Sequence, residues 1–420
     1  MSSGTQDEGL SIKDGKLRLV NMFLKLFATI QRYPVTIIVV ASFIVQGTYL
    51  FWYGPVNSLD SQSYSRWAGY LLDYKFNYLL FIENVKFTIP AYFYSGFITI
   101  VAITKVFLAK NWVYGILSLN LIAYATTAGL ITKIIKSASR DSISALIGGG
   151  LFLLNFESFQ WVRYVLSDST FMVLVVASYC FVLKYILGHE EEKRYWHAVA
   201  AIIFCLILMS YRPAATPIVF VLITIILMSI AFPQGMKSTR VNKVILVIVI
   251  LGLGLAILVH AYYMQHVDRW PLGFARRYLE LVSTYYSEGR VIDDRPELNL
   301  SRPTIYTDYI IIILTRICYF FVFVIDAFST RHVVYNLVTF TPIYVLGLFY
   351  WIGAITRPEI SKDKISWFVG VTCSALVVAV VVFNSLLLID YDWRYRLPIM
   401  PFLTILAGMG FRVFTNCFTR

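Results

Sequence analysis

Runs of about 20 consecutive apolar residues recur along the chain, each long enough to cross a ~30 Å hydrocarbon core as an α-helix. The clearest are residues 35–53, 112–132, 169–187, 244–263, 335–355 and 365–389. Shorter or polar-interrupted runs are 142–159, 196–211, 214–232 and 398–411. Lipid offers no partners to backbone N–H and C=O groups, so such runs must satisfy them internally, as helices. Composition agrees: 58% of the 420 residues are hydrophobic and 14% are charged, with a mean hydropathy of +0.69. A soluble domain cannot hide that much apolar surface with so little charge. The expected fold is an all-α polytopic membrane protein with about ten transmembrane helices plus external interfacial helices. No internal repeat divides it, so residues 1–420 read as a single domain.

A net charge of +12 raises the question of a nucleic-acid partner, and the placement of the charge answers it. The basic residues lie in short clusters between apolar runs: Lys133/Lys136/Arg140, Lys193/Arg194, Lys237/Arg240/Lys243 and Arg357/Lys362/Lys364. This is the positive-inside pattern of a multi-pass membrane protein, and no nucleic acid is expected. The first 32 residues are polar and basic, and no small-residue cleavage site follows the first apolar run. Residues 35–53 therefore read as an uncleaved first span with a cytoplasmic N-terminus.

If every apolar run crossed, the basic clusters would fall on both sides. Treating 91–109 and 309–328 as outer interfacial or re-entrant helices removes the conflict. Lys105 in the first and Arg316 and Asp326 in the second mark them as the exceptions. Both termini are then cytoplasmic. The working face points outward from an inner (plasma) membrane, with external loops at about 54–111 and 265–334 and short turns at 157–168, 211–213 and 390–397. The five cysteines are scattered without metal or disulfide spacing and read as apolar filler.

Candidate residues cluster on that outer face. In a helix beginning near Leu59, Asp60, Tyr64, Trp67, Ala68 and Leu71 share one face. Asp60 is a candidate acid, but Asp ahead of a helical stripe is also what an N-cap needs, and the segment alone favours the cap. Asp168 opens the run from Ser169 and carries the same two readings, with its place at a membrane boundary strengthening the functional one. Arg212, between two apolar runs, needs an acidic neighbour, an anionic ligand or a lipid headgroup. The turn Asp390-Tyr391-Asp392-Trp393-Arg394-Tyr395-Arg396 is dense in arginine and aromatics. It suits either phosphate recognition or an aromatic belt with internally paired charges. The large loop adds Arg269, Arg276, Arg277, Asp293, Asp294, Arg295, Glu297, Arg331, His332 and Asn336. A lone histidine such as His332 is ordinarily a packed polar residue.

Together these pieces resemble the GT-C superfamily of polytopic glycosyltransferases, nearest to protein O-mannosyltransferases and lipid A aminoarabinose transferases. The resemblance rests on Asp60-x3-Tyr64-x3-Ala68, Leu166-Ser167-Asp168 and Tyr211-Arg212-Pro213. It ends on Arg394-Tyr395-Arg396-Leu397-Pro398-Ile399-Met400-Pro401, followed by Ala407-Gly408. It implies a polyprenyl-phosphate-linked sugar as donor, a lipid, glycan or protein hydroxyl as acceptor, and surrounding membrane lipids as partners. Asp60 would be the general base, with Asp168 as the second acid. Arg212, Arg394 and Arg396 would hold the donor phosphate, and Tyr64, Tyr395 and His332 would contact substrate. Attack opposite the phosphate would invert the anomeric carbon. Asp60 is followed by Ser61 where better-known members carry two adjacent acids, and one carboxylate is a poor divalent site, so no metal or other cofactor is expected. The other class compatible with this pattern is a transporter or flippase for an anionic lipid or sugar, against which stand the one-sided charges and the absence of repeated halves.

Overall fold

A computed structural model describes residues 28–29, 31–84, 93–188, 191–231, 306–324, 329–357, 359–360, 363–387 and 393–418. Among these residues the protein is helical, with fourteen α-helices and no strand. In chain order they are α1 (Pro34–Tyr53), α2 (Leu59–Asp73), α3 (Tyr78–Asn84), α4 (Ser95–Leu108), α5 (Trp112–Ser139), α6 (Ser142–Leu154) and α7 (Phe156–Phe159). Then follow α8 (Asp168–Leu187), α9 (Glu191–Met209), α10 (Ala215–Ala231), α11 (Tyr306–Tyr319), α12 (Thr330–Thr356), α13 (Lys364–Leu387) and α14 (Met400–Phe418).

Local chemistry sets many of the ends. Pro34 opens α1, where its missing N–H costs nothing. Arg140 takes a left-handed conformation that ends α5, and the Asp141 carboxylate caps α6 by accepting from the N–H groups of Ile143 and Ser144. Asn155 caps the short α7, and the polar-interrupted run 142–159 breaks there. Ser142–Leu154 and Phe156–Arg163 meet at 61°.

Six helical stretches of the described residues are long and apolar enough to cross a membrane, or seven if that bent pair is one span. Arg194–Met209 and Ala215–Ile230 are apolar but shorter. The core sits on the last two long helices: 83% of the apolar window in α13 and 78% of that in the α14 stretch are buried, against 17% for α1. Phe43, Ile44, Phe51 and Trp52 of α1 instead face outward, as lipid-facing side chains do. Glycine lets the central helices close up. A Cβ on Gly410 of α14 would fall on the Leu346 carbonyl of α12, and one on Gly408 would crowd Ile135 and the Ser144 carbonyl.

The helices alternate between two ends of the bundle. At one end Lys136 donates to the Arg32 carbonyl, Ser142 to the Gln31 carbonyl, Arg412 to the Ser139 carbonyl and Arg357 to Cys417. Lys133, Lys136, Arg140, Arg194, Arg357 and Lys364 therefore gather at this basic end, while Lys193, Lys362 and the 237–243 cluster lie outside the side chains described. Asp60, Glu157, Asp168, Arg212 and Arg394 gather at the other.

The segment expected to lie along the surface, 91–109, gives α4, and both of its ends are held at the Asp60 end. Gly96 N–H donates to the Ser210 carbonyl beyond α9, at 2.9 Å. Lys105 donates to the Ser65 carbonyl of α2 at 2.7 Å and lies over Trp112. The chain turns sharply at Ala109, whose φ of 43° is costly for a residue with a Cβ. The second such segment gives α11, whose 14 residues span ~21 Å, short of a ~30 Å core. Its C-terminal side also lies at the Asp60 end, where Phe320 and Val322 meet Arg396. The large loop ends earlier than 334, because α12 already begins at Thr330.

Candidate active site

The first acid is placed by a cap that is not its own. Ser58 is the N-cap of α2: its hydroxyl accepts from Ser61 N–H while Ser61 answers the Ser58 N–H. Asp60 sits inside the first turn with its carboxylate unused by the helix, which overturns the cap reading for this residue. The carboxylate instead receives Arg394 Nη1 at 2.5 Å from the Trp393–Ile399 3₁₀ helix, 334 residues away in the chain. The Arg394 guanidinium also lies over Trp161, 5.5 Å from the ring centroid. This pair is accessible: the Asp60 side chain is 49% exposed and that of Arg394 22%.

Asp168 likewise caps nothing, since Ser167 holds the N-cap position of α8 and no side-chain cap bond is made. It forms a buried ion pair with Arg212, between α9 and α10. Burial works against the Arg212 charge, but Asp168, Tyr94 and Tyr64 together hold its pKa well above the ordinary value. Tyr64 stands one turn after Asp60 on α2 and is buried, edge-on to Tyr94, Phe97 and Trp67. Burial pushes its hydroxyl well above the usual tyrosine range, with Tyr94 adding to the rise and Arg212 opposing it. Tyr64 is thus a neutral hydroxyl that links the Asp60 helix to the Asp168–Arg212 pair.

Arg396 has a setting the sequence reading did not anticipate. It forks onto Glu157, with Nη2 to Oε1 at 2.6 Å and Nε to Oε2 at 3.0 Å. Nη1 donates to the Val322 carbonyl at 2.5 Å, and the guanidinium covers Phe340 at 4.7 Å. Asn336 adds a bond to Glu157 Oε1 at 3.1 Å. Both side chains of the pair are 3% exposed. A guanidinium committed in this way has little left for a phosphate, so Arg396 is an anchor for its 3₁₀ helix. His332, in the first turn of α12, packs edge-on against Phe156 at 5.3 Å beside this cluster. Tyr395 packs part-buried against the core between the two arginines.

Val56 and Tyr164 form a parallel bridge, with Val56 N–H donating to the Arg163 carbonyl at 2.9 Å. Arg163 in turn lies 5.5 Å from the ring centroids of both Tyr49 and Tyr53. These contacts tie the start of the first loop to the turn that carries Glu157. A cavity of about 600 Å³ opens beside α2, lined by Asn57, Gln62, Arg66, Lys105 and Trp112 among others. Among the described residues no cluster of three or more His, Cys, Asp or Glu is arranged as a metal site. Arg269, Arg276, Arg277, Asp293, Asp294, Arg295 and Glu297 lie outside the described residues.

No family model, curated protein or solved structure matches the chain. The site therefore has to be read from its own geometry. Two acid–arginine pairs share one end of a helical membrane bundle: one half-open, the other sealed, with a tyrosine between them. A third, Glu157–Arg396, holds the piece that presents Arg394. Glu157 is the residue that sequence reasoning missed. Its signal was a carboxylate inside the polar-interrupted run 142–159, where burial demands a cation.

Proposed function

We propose that this protein is a glycosyltransferase that moves a sugar from a polyprenyl-phosphate donor to an acceptor hydroxyl at the non-cytoplasmic end of the bundle. The observation that carries this reading is the half-open Asp60–Arg394 pair. It joins the acid of the first loop to the arginine of the closing signature, the two residues on which the GT-C resemblance leans most. In this reading the donor phosphate competes with Asp60 for Arg394. The guanidinium passes to the phosphate and stabilises the charge that grows there as the sugar–oxygen bond breaks. The Asp60 carboxylate, released, takes the proton of the acceptor hydroxyl as it attacks the anomeric carbon from the opposite side, with inversion. Arg212, its charge balanced by Asp168, braces the site from behind. The cavity beside α2 offers room for an acceptor lipid, glycan or protein segment.

The architecture that supports this reading has ten spans. Nine are α1, α5, the bent α6–α7 pair, α8, α9, α10, α12, α13 and α14, and the tenth expected run, 244–263, lies outside the described residues. The basic end faces the cytoplasm in an inner (plasma) membrane, as the positive-inside rule asks. Purified protein in detergent, assayed against a panel of polyprenyl-phosphate sugars with products read by mass, tests the proposal. Transfer without a sealed compartment supports an enzyme. Movement of intact lipid-linked sugar across sealed vesicles, with no transfer product in either format, would replace this reading with a transporter.

A further inference from the structure

At the basic end, about as far from Asp60 as the bundle allows, a cavity of about 470 Å³ lies between α5, α8, α9 and α13. Its floor is apolar, built from residues such as Ile134, Phe181 and Val369. Lys133 of α5 and Lys184 of α8 stand exposed at its rim, and His197 of α9 closes a third side. Lys184 Nζ rests 5.3 Å from the Phe181 ring centroid, which draws the ammonium toward the cavity. No carboxylate lines it among the described residues.

From this arrangement we infer that the cavity is a binding site for an anionic phospholipid of the leaflet at the basic end. The headgroup phosphate sits between Lys133 and Lys184, and an acyl chain enters the apolar floor. Three observations select this occupant. Three of the helices around the space, α5, α8 and α13, belong to stretches long and apolar enough to cross a membrane, where the neighbouring molecules are lipids. Its shape pairs an apolar interior with a cationic rim, the inverse of a phospholipid's anionic head and apolar tail. The two ammonium groups come from different helices, so a single phosphate bridging them would fasten α5 to α8. Lys184, in the last turn of α8, also offsets the carbonyl-end dipole there. Lys133 stands before the last turn of α5, so that role does not account for its place on the cavity. The inference is independent of the glycosyltransferase reading.

The test compares full-length wild type with Lys133→Gln/Lys184→Gln and with Ala177→Trp, which fills the apolar floor and leaves both charges. Each is reconstituted in phosphatidylcholine nanodiscs with or without phosphatidylglycerol. Retained lipid is read by native mass spectrometry and unfolding by a thermal ramp. Wild type should retain phosphatidylglycerol in preference to phosphatidylcholine and unfold at higher temperature when it is present. Each lysine lost should weaken that binding roughly 5-fold, about 30-fold for both. Ala177→Trp should abolish retention with its charges intact. Equal retention by wild type and both variants, each with an unchanged midpoint in phosphatidylcholine alone, would overturn the site. Stabilisation by inorganic phosphate in detergent that matches the effect of phosphatidylglycerol would reduce it to an anion site and overturn the lipid assignment.

Discussion

Arg394 and Arg396 stand two positions apart on one short 3₁₀ helix, and each grips an acid from a different part of the chain. The first meets Asp60 at 2.5 Å in a half-open setting, and the second meets Glu157 at 2.6 Å in a sealed one. Water competes for an open pair, which is worth about 0–1 kcal/mol and can be exchanged for a ligand. A sealed pair is different, because breaking it strands a charge away from water at a cost of roughly 3–5 kcal/mol. The same seven-residue segment thus carries a replaceable contact and a permanent one.

Asp60→Asn should fold normally and lose activity by ~10²–10⁴, the usual cost of a lost general base. Because Ser58 holds the cap, Asp60→Ala should unfold within about 0.5 kcal/mol of wild type, as ordinary surface changes do. Ser58→Ala should show the reverse pattern, losing ~1 kcal/mol of stability with little change in turnover. Unfolding midpoints and turnover measured side by side decide the matter. A well-folded Asp60→Asn that turns over normally would move the catalytic role to Asp168.

Arg394→Ala should raise the donor concentration needed for half-maximal rate more than that of the acceptor. Loss of a charge-assisted contact to phosphate corresponds to ~1.5–3 kcal/mol, or roughly 10- to 150-fold. Lysine should rescue only part of this, since it lacks the planar fork. Steady-state kinetics with each substrate limiting in turn would expose a purely structural Arg394, which would shift neither constant selectively.

Glu157→Gln and Arg396→Met should each destabilise the protein by ~3–5 kcal/mol, and the double variant should do less harm than their sum. The check is a double-mutant cycle on unfolding midpoints. If Arg396→Met instead kept full stability and selectively weakened donor use, Arg396 would belong with the phosphate after all.

Sidedness follows from the gathering of charge at one end. With the native cysteines replaced, Arg140→Cys should resist an impermeant thiol reagent in intact cells, and Gln62→Cys should react. The opposite pattern would invert the whole topology.

Much of the frame was legible because lipid enforces it. The run 35–53 became Pro34–Tyr53, and 169–187 became Asp168–Leu187. Tyr64, Ala68 and Leu71 of the stripe are buried as their spacing implied, with Trp67 partly so. What the sequence hid were choices between near neighbours and meetings across long stretches of chain. Ser58, Asp60 and Ser61 are all cap-type residues within four positions, and only the extended backbone at Ser58 decides which one caps. The bend falls at Asn155, one of several polar residues that interrupt the run 142–159, and hydropathy does not tell an interruption that bends a helix from one that does not. Glu157 and Arg396 are 239 residues apart. The arginine's place in a signature suggested a ligand, when the nearby need was a buried carboxylate.

The order in which a ribosome releases this chain gives the Glu157–Arg396 contact one more consequence. Glu157 enters the membrane early, and the cation that neutralises it arrives only with the final stretch of polypeptide. Until then the nascent protein holds an uncompensated acid among its helices and has no Arg394 to meet Asp60. A chain broken off before residue 393 would keep that defect permanently. It would therefore offer proteolytic surveillance a chemical difference between finished and unfinished copies.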